Sequence, residues 1–118
     1  MVKAMRIQEK VKSVGFDWDK KEEVIEKVYE EIKELKEELK LNDEKKTKQE
    51  LGDLIFSVIN MARFINIDPE EALESTNIKF INRFQYMEES IARDKKNLKE
   101  MSLIEMNKYW NSSKKTHG

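Results

Sequence analysis

The chain is poor in the residues that interrupt helices and form tight turns. It contains three glycines, Gly15, Gly52 and Gly118, and one proline, Pro69, in 118 residues. A β protein places glycine and proline at its many turns, so this count is too low for a turn-rich β fold. The chain is instead rich in glutamate, lysine, leucine and isoleucine, a composition that favours helices. We therefore predict an all-α helical bundle.

Apolar residues recur at helical spacing in five segments, which begin near residues 2, 19, 47, 69 and 102. Capping signals support three of these starts, because aspartate or serine stands three residues before a glutamate or directly before the proline. The residues concerned are Asp19 with Glu22, Ser102 with Glu105, and Asp68 with Pro69. We expect a polar loop at 42–46 and a disordered tail at 111–118. The length suits one domain, covering residues 1–118.

Charge and composition exclude several classes of protein. The 23 lysines and arginines nearly balance the 24 aspartates and glutamates, whereas a nucleic-acid-binding protein usually has a basic excess. Without cysteine, and with His117 as the one histidine, the chain offers no thiolate nucleophile, disulfide or multi-histidine metal site. No apolar run reaches the ~18–20 residues of a membrane span. We predict a cytoplasmic protein with neither nucleic acid nor a membrane as partner.

The third helix is apolar on nearly every side, which is typical of a helix in the centre of a bundle. Four polar residues nevertheless recur along it at spacings of three, four and three, on one stripe: Glu50, Asp53, Ser57 and Asn60. An ionised carboxylate left unpaired among apolar neighbours is costly, so we infer that a cation neutralises this stripe. A first-turn glutamate that only favours the helix dipole is the alternative for Glu50.

The second helix carries a matching pair, Glu31 and Glu34, three residues apart at the border of its apolar face. If the second and third helices pack antiparallel through the short loop, these carboxylates converge with Glu50 and Asp53. Such an all-oxygen site suits Mg²⁺ or Mn²⁺. A ferritin-like di-iron site would need Glu-x-x-His pairs, and an EF-hand would need an aspartate-rich loop. The alternative for the second helix is an ordinary solvated face of glutamate and lysine pairs.

The fourth helix adds two cations, Lys79 and Arg83, four residues apart and with Asn77 nearby. Like charges at this spacing repel slightly, and a polyanion between them would offset that repulsion. Two ordinary surface cations beside an apolar stripe are the alternative. Trp18 and Trp110 can stack on a nucleobase, although packing in the core or in an interface is the simpler explanation of each.

Several segments together resemble one known family. The patterns EExxE at 30–34 and ExxD at 50–53 are similar to the four-carboxylate signature of MazG-type nucleoside triphosphate pyrophosphohydrolases. Related all-α pyrophosphatases for dUTP, dCTP and phosphoribosyl-ATP share versions of this signature. The flanking segments favour the MazG branch, and the resemblance extends from about Met5 to Trp110. These segments are VGFDW at 14–18, ELGDLIFSVINMAR at 50–63 and NIKFINRF at 77–84.

The resemblance implies a helical bundle of the all-α NTP pyrophosphatase type. Its activity would be hydrolysis of nucleoside triphosphates between the α and β phosphates, giving monophosphate and pyrophosphate. It implies Mg²⁺, with Mn²⁺ as an alternative, held by Glu31, Glu34, Glu50 and Asp53. A carboxylate not fully committed to the metal, Glu34 or Glu50, would act as catalytic base and accept the proton of the attacking water. The predicted substrate-binding residues are Lys79, Arg83, Asn77, Asn60, Lys46 and Trp110.

Members of this family tend to form dimers or larger assemblies, so the resemblance also implies a homodimer or a higher homo-oligomer. Many members hold two such domains, and this chain resembles the second domain alone. Two other functions stay open: a non-catalytic helical module for oligomerisation or regulation, and a narrower pyrophosphohydrolase for dUTP, dCTP or phosphoribosyl-ATP. The stripe of Glu50, Asp53 and Asn60 disfavours the non-catalytic module, because a helix that only packs would carry leucine or alanine there.

Overall fold

The computed structural model of the chain describes residues 1–117 and is all-α, as predicted. Five α-helices and a short 3₁₀ helix follow one another, and no strand occurs within this range. None of the described helices is both long and apolar enough to cross a membrane. The α-helices are α1 Val2–Ser13, α2 Lys21–Leu41, α3 Glu44–Phe64, α4 Pro69–Arg93 and α5 Leu103–His117, and the 3₁₀ helix is Leu98–Glu100.

The helices divide between two compact units. The first unit is Met1–Glu71, and the second begins at Ala72. In the first unit α2 and α3 form a helical hairpin, and α1 packs against α3. Val24 of α2 and Ile59 of α3 are buried here. In the second unit, Met87 and Ile91 of α4 are buried. The single domain over residues 1–118 stays a prediction.

The connection between α2 and α3 is shorter than the predicted loop at 42–46. Asn42 ends α2 in the left-handed conformation, with φ of 55°, which asparagine adopts more easily than most residues. Asp43 then caps α3, since its carboxylate accepts a hydrogen bond from the backbone N–H of Lys46 at 3.1 Å. Because this cap is satisfied, α3 begins at Glu44 and the predicted start near Thr47 is wrong by one turn.

Of the other predicted helix caps, two are confirmed and one is wrong. Asp68 accepts from the backbone N–H of Glu70 at 2.9 Å, and Ser102 accepts from that of Glu105 at 3.2 Å, so both caps are confirmed. The capping box at Asp19 is wrong. Lys20 is the N-cap of α2 and makes no side-chain capping hydrogen bond. The N-cap and the first helical residue, Lys21, each lie one residue later than the capping box predicts.

The last helix continues through most of the segment for which a disordered tail was predicted. Residues 111–117 are helical, and contacts within the second unit hold them. Ser113 is fully buried, and its hydroxyl donates a hydrogen bond to the carbonyl oxygen of Trp110. Arg83 Nε donates to the carbonyl oxygen of His117 at 3.2 Å. Gly118 lies outside the described residues.

Candidate metal and substrate site

The hairpin of α2 and α3 brings three of the four predicted carboxylates together. Glu31 projects from α2, and Glu50 and Asp53 lie one turn apart on α3. Each of the three offers an oxygen, and these oxygens lie within 4.8 Å of one another. Glu31 is buried, Glu50 is half-buried and Asp53 is exposed, so the cluster extends from the interior to the surface. We call Glu31, Glu50 and Asp53 the carboxylate cluster.

Two oxygens of this cluster are buried without a partner. Glu31 Oε2 and Glu50 Oε2 accept no hydrogen bond from any described residue. An unpaired buried carboxylate oxygen is destabilising, because it has lost water and gained nothing in return. Lys27 offsets part of this cost, since its Nζ lies 3.0 Å from the other oxygen, Oε1, of Glu31. The hydrogen bond to Glu31 raises the pKa of Lys27, so the ammonium form is favoured.

The fourth predicted ligand, Glu34, lies beside the carboxylate cluster rather than within it. Its carboxyl group shares a hydrogen bond with Glu50, which raises the pKa of Glu34, and the negative charge of Glu31 raises it further. Neighbouring carboxylates repel, so a proton on one of them relieves the repulsion. A divalent cation relieves it more completely. Glu34 as a metal ligand stays a prediction.

The donor set fits a small, hard cation. All the offered ligands are carboxylate oxygens, the donors that Mg²⁺ and Mn²⁺ prefer. The ligand distance of Mg²⁺, about 2.1 Å, is shorter than the contact distance of a water molecule, so such an ion can reach oxygens that water does not. The two unpartnered oxygens would both gain a partner. The residues present therefore fit a divalent metal ion.

A cavity of about 510 Å³ adjoins the cluster in the first unit, and both Glu31 and Asp53 line it. Three aromatic side chains, Phe16, Trp18 and Phe56, form part of its wall. The predicted polar residues of the α3 stripe, Ser57 and Asn60, line it too. Its other lining residues are Gln8, Val11, Asp17, Lys27 and Arg63.

An ion pair between the buried Arg63 and the half-buried Asp17 holds the segment between α1 and α2 against α3. Arg63 Nη2 donates to Asp17 Oδ1 at 2.8 Å and to Asn60 Oδ1 at 2.7 Å, while Nη1 lies 3.5 Å from Asp17 Oδ2. The hydrogen bond from Arg63 lowers the pKa of Asp17 below its usual value. Because Phe16 and Trp18 flank Asp17, the ion pair also fixes these two aromatic residues at the cavity.

The sequence analysis missed Gln8, Asp17 and Arg63 as residues of this site. Gln8 is buried, and its amide nitrogen donates to the carbonyl oxygen of Phe56 at 3.0 Å. The signal that could have found it is a polar residue on the same stripe of α1 as Ala4 and Val11. Arg63 could have been found as the next polar position after Asn60, three residues further along α3.

The other predicted substrate-binding residues are placed as follows. Lys46 is exposed in the first turn of α3. Asn77, Lys79 and Arg83 lie on α4 in the second unit, and Trp110 lies on α5 with its ring 4.9 Å from that of Phe80. This tilted ring contact agrees with the packing alternative for Trp110. Contact of these residues with substrate stays a prediction.

Fold and site together define an all-α protein with an acidic cluster that can hold a cation beside an aromatic-lined cavity. The MazG nucleotide pyrophosphohydrolase domain family matches residues 19–87, which is more than half of the chain and includes the whole carboxylate cluster. The chain therefore belongs to this family, as the resemblance predicted.

Individual relatives agree with this assignment. The chain is 46% identical over 111 residues to the nucleoside triphosphate pyrophosphohydrolase/pyrophosphatase MazG of Thermotoga maritima, covering 94% of this chain and 42% of that protein. It is 35% identical over 117 residues to the nucleoside triphosphate pyrophosphohydrolase of Escherichia coli K12, covering 98% and 44%. A 69-residue match of 49% identity to Bacillus subtilis YabN covers 58% and 14%. The chain thus spans less than half the length of these relatives.

Proposed function

We propose that this chain hydrolyses nucleoside triphosphates between the α and β phosphates, releasing a nucleoside monophosphate and pyrophosphate. The observation that carries the proposal is a pair of buried oxygens without partners, one on Glu31 and one on Glu50. An oxygen of each of these residues and one of Asp53 also lie within 4.8 Å of one another. Membership of the MazG nucleotide pyrophosphohydrolase domain family supports the same reaction.

Glu31, Glu50 and Asp53 would hold a divalent cation, Mg²⁺ first and Mn²⁺ as an alternative, with Glu34 as a fourth ligand. When bound, the ion supplies positive charge that neutralises phosphate oxygens and orients the triphosphate. The chain's contribution is to keep the carboxylates in place before the substrate arrives. The hairpin achieves this, because Glu50 and Asp53 share one rigid helix and Glu31 is buried against it.

Glu34 would be the carboxylate that exchanges a proton. It already shares a hydrogen bond with Glu50, and its pKa is raised by that bond and by the charge of Glu31. A carboxylate with a raised pKa is a better base toward the attacking water, provided that it is ionised at the working pH. Glu50 is the alternative base, as the sequence analysis proposed.

Cations and amides around the site would bind the rest of the substrate. Lys27 lies 3.0 Å from Glu31 and lines the cavity, so it can neutralise a phosphate oxygen without leaving its place. We assign the triphosphate to Lys79 and Arg83, with Lys46 as a further contact. Asn60 would contact the nucleoside within the cavity. The remaining proposed contacts are Asn77 and Trp110.

We propose a homodimer as the assembly, because apolar side chains lie exposed along both helices of the hairpin. On α3 these are Leu51, Ile55 and Val58, spaced four and three residues apart. Exposed apolar side chains that recur along one helix are typical of a surface that packs against a partner. A cytoplasmic location stays a prediction from the sequence.

The deciding experiment incubates the protein with Mg²⁺ and each of the eight common NTPs and dNTPs, together with dUTP and phosphoribosyl-ATP. Products are separated by ion-exchange chromatography. We expect monophosphate and pyrophosphate, no turnover when EDTA is present, and a loss of at least a hundredfold in kcat for Asp53→Asn. Asp53 is exposed, so this substitution leaves the core intact. The matched control is Asp19→Asn, which changes an equally exposed aspartate outside the cluster.

Each other result contradicts a defined part of the proposal. Diphosphate with phosphate as products would exclude cleavage between the α and β phosphates. Hydrolysis confined to dUTP, dCTP or phosphoribosyl-ATP would restrict the activity to the narrower relatives. No turnover of any nucleotide, with a melting temperature that Mg²⁺ does not change, would leave the non-catalytic module as the function.

A further inference from the structure

Gln8 has an unsatisfied acceptor at the wall of the cavity. Its side chain is only 2% exposed, yet its carbonyl oxygen Oε1 receives no hydrogen bond from any residue in the described range. A buried amide oxygen without a donor is destabilising, and natural proteins rarely keep one without a role. Because Gln8 lines the cavity, a molecule within the cavity is placed to provide the missing donor.

The orientation of this amide is fixed by its other end. The amide nitrogen donates to the carbonyl oxygen of Phe56 at 3.0 Å. A flipped amide would bring two oxygens together at that distance, so the flip is unfavourable. The atom of this amide that is left without a partner is therefore the acceptor Oε1 and not the donor Nε2.

The same cavity connects this acceptor with the carboxylate cluster. Glu31 and Asp53 line the cavity together with Gln8. Asp53 precedes Phe56, the backbone partner of Gln8, by three residues on α3, a rise of about 4.5 Å along the helix. Phe16, Trp18 and Phe56 provide flat apolar surface on which a base of any kind can stack. Phosphates held at the cluster would thus leave the nucleoside directed into this cavity.

We propose that Gln8 determines base specificity by accepting a hydrogen bond from the exocyclic amino group of the substrate's base, as on adenine or cytosine. The proposal rests on the proposed hydrolysis of nucleoside triphosphates at the neighbouring cluster. It assigns the cavity as the nucleoside site and makes amino-bearing nucleotides the preferred substrates.

The position of the acceptor explains why an amino group suits it better than a ring N–H. Gln8 Oε1 is recessed, with almost no surface accessible to water. An exocyclic amino group projects beyond the ring, so it would need the smallest displacement of Gln8 to make a hydrogen bond with this oxygen. The ring N–H of uracil or hypoxanthine stands next to a carbonyl group, which would bring a second oxygen toward Oε1. Two oxygens without a hydrogen between them repel, so the keto bases are disfavoured.

The test compares kcat/KM for two substrate pairs that differ at this position, ATP with ITP and CTP with UTP. We expect the wild type to prefer the amino member of at least one pair by about tenfold, the effect of one hydrogen bond of ordinary strength. Gln8→Met keeps the length of the side chain and removes the acceptor, so it should bring this ratio close to one. The control, Gln85→Met, makes the same change at an exposed position on α4 and should keep the wild-type ratio.

The ratio is measured within one preparation, so it does not depend on how much of a variant is folded. If Gln8→Met yields no folded protein, purine riboside triphosphate tests the wild type instead. This analogue has hydrogen in place of the amino group of ATP. If the wild type prefers ATP to ITP, the kcat/KM of the analogue should be about tenfold lower than that of ATP. Equal use of ATP and the analogue would contradict the assignment.

The outcomes separate this inference from the proposed function. Turnover of all four nucleotides without a preference in either pair, or a preference that survives in Gln8→Met, overturns the role of Gln8 alone. Turnover of none of them overturns the proposed function, and the role of Gln8 with it.

Discussion

The side chains of the carboxylate cluster are arranged for a cation rather than for stability of the free chain. Glu31 Oε2 and Glu50 Oε2 are buried without partners, and Lys27 pairs with the other oxygen of Glu31 and with Glu30. A cluster shaped by folding alone would pair these oxygens or replace the carboxylates by apolar groups. We therefore expect the metal-free chain to be less stable than the metal-bound chain.

Glu50→Gln tests this trade between stability and binding. The substitution removes one negative charge from the cluster and keeps the shape of the side chain. We expect a melting temperature in EDTA equal to or above that of the wild type, because repulsion with Glu31 and Glu34 is relieved. In Mg²⁺ the wild type should melt higher, since a ligand bound only to the folded state stabilises it, and the variant should lose this increase.

Circular dichroism melting curves in EDTA and in MgCl₂ give both melting temperatures of Glu50→Gln. Glu37→Gln, an exposed change on α2, is the control and should behave as the wild type in both buffers. A Glu50→Gln protein that keeps the full response to Mg²⁺ would place the metal elsewhere.

The Asp17–Arg63 ion pair makes a pH-dependent contribution to stability. Since its hydrogen bond lowers the pKa of Asp17 in the folded state, the stabilisation is fully present above the unfolded pKa. It disappears as the pH falls through the lower, folded pKa. Asp17→Asn should therefore reduce the free energy of unfolding at pH 7 by about 2 kcal/mol, because it leaves Arg63 buried without its counter-ion.

Urea denaturation at a series of pH values measures this difference for Asp17→Asn. We expect it to be constant between pH 7 and pH 5 and to shrink below about pH 4, where Asp17 of the unfolded wild type takes up a proton. The exposed Asp19→Asn serves as the matched control. A difference that does not change with pH would show that the amide disturbs packing rather than charge.

At the scale of helices, the sequence predicted those features that depend on residues close together in the chain. The helical period identified all five helices, and the caps at Asp68 and Ser102 were read correctly from spacings of two or three residues. The errors also have local causes. Asp43 could be read as part of a polar loop or as the cap that it is, and Asp19 fits a capping box although the helix starts after Lys20.

Residues of the candidate site were likewise predictable only where local spacing identifies them. Glu50 and Asp53 were predictable because a spacing of three places them on one face of α3, and Glu31 followed once a hairpin was assumed. Gln8 and Arg63 were not, because their partners Phe56 and Asp17 lie 48 and 46 residues away in the chain. Such pairs form only when α1 and the following segment pack against α3, and no periodicity within one helix encodes that packing.

The cap of α3 is predicted to support the site through the helix that carries it. Asp43→Ala removes the acceptor for the backbone N–H of Lys46 and should lower the free energy of unfolding by about 1 kcal/mol. Asp43→Ser retains a capping oxygen and should stay within a few tenths of a kcal/mol of the wild type. Urea denaturation at pH 7 measures both, and equal destabilisation by the two variants would show that the charge of Asp43, not its cap, matters.

At the scale of the whole molecule, the main feature is the large number of apolar side chains that are exposed. Among the described residues few large apolar side chains are buried. In the hairpin Val24 and Ile59 are buried, while several others are substantially exposed. On α3, Leu51 is 45% exposed, Ile55 47% and Val58 40%. On α2, Ile25, Tyr29 and Ile32 are exposed at the same spacing of four and three residues. Exposed apolar stripes of this kind are the features that a second hairpin can cover by ordinary helix packing.

Association of two chains through this surface is therefore the expected state in solution. Size-exclusion chromatography with light scattering should give twice the mass of the chain, and dilution should lower the melting temperature, because dissociation accompanies unfolding. Ile55→Lys places a charge in the centre of the α3 stripe and should give the mass of one chain. Ile67→Lys makes the same change outside α2 and α3 at a residue of similar exposure, 49%, and should leave the dimer intact. A wild-type protein that has the mass of one chain at all concentrations, or dissociation caused equally by both variants, would contradict this surface as the interface.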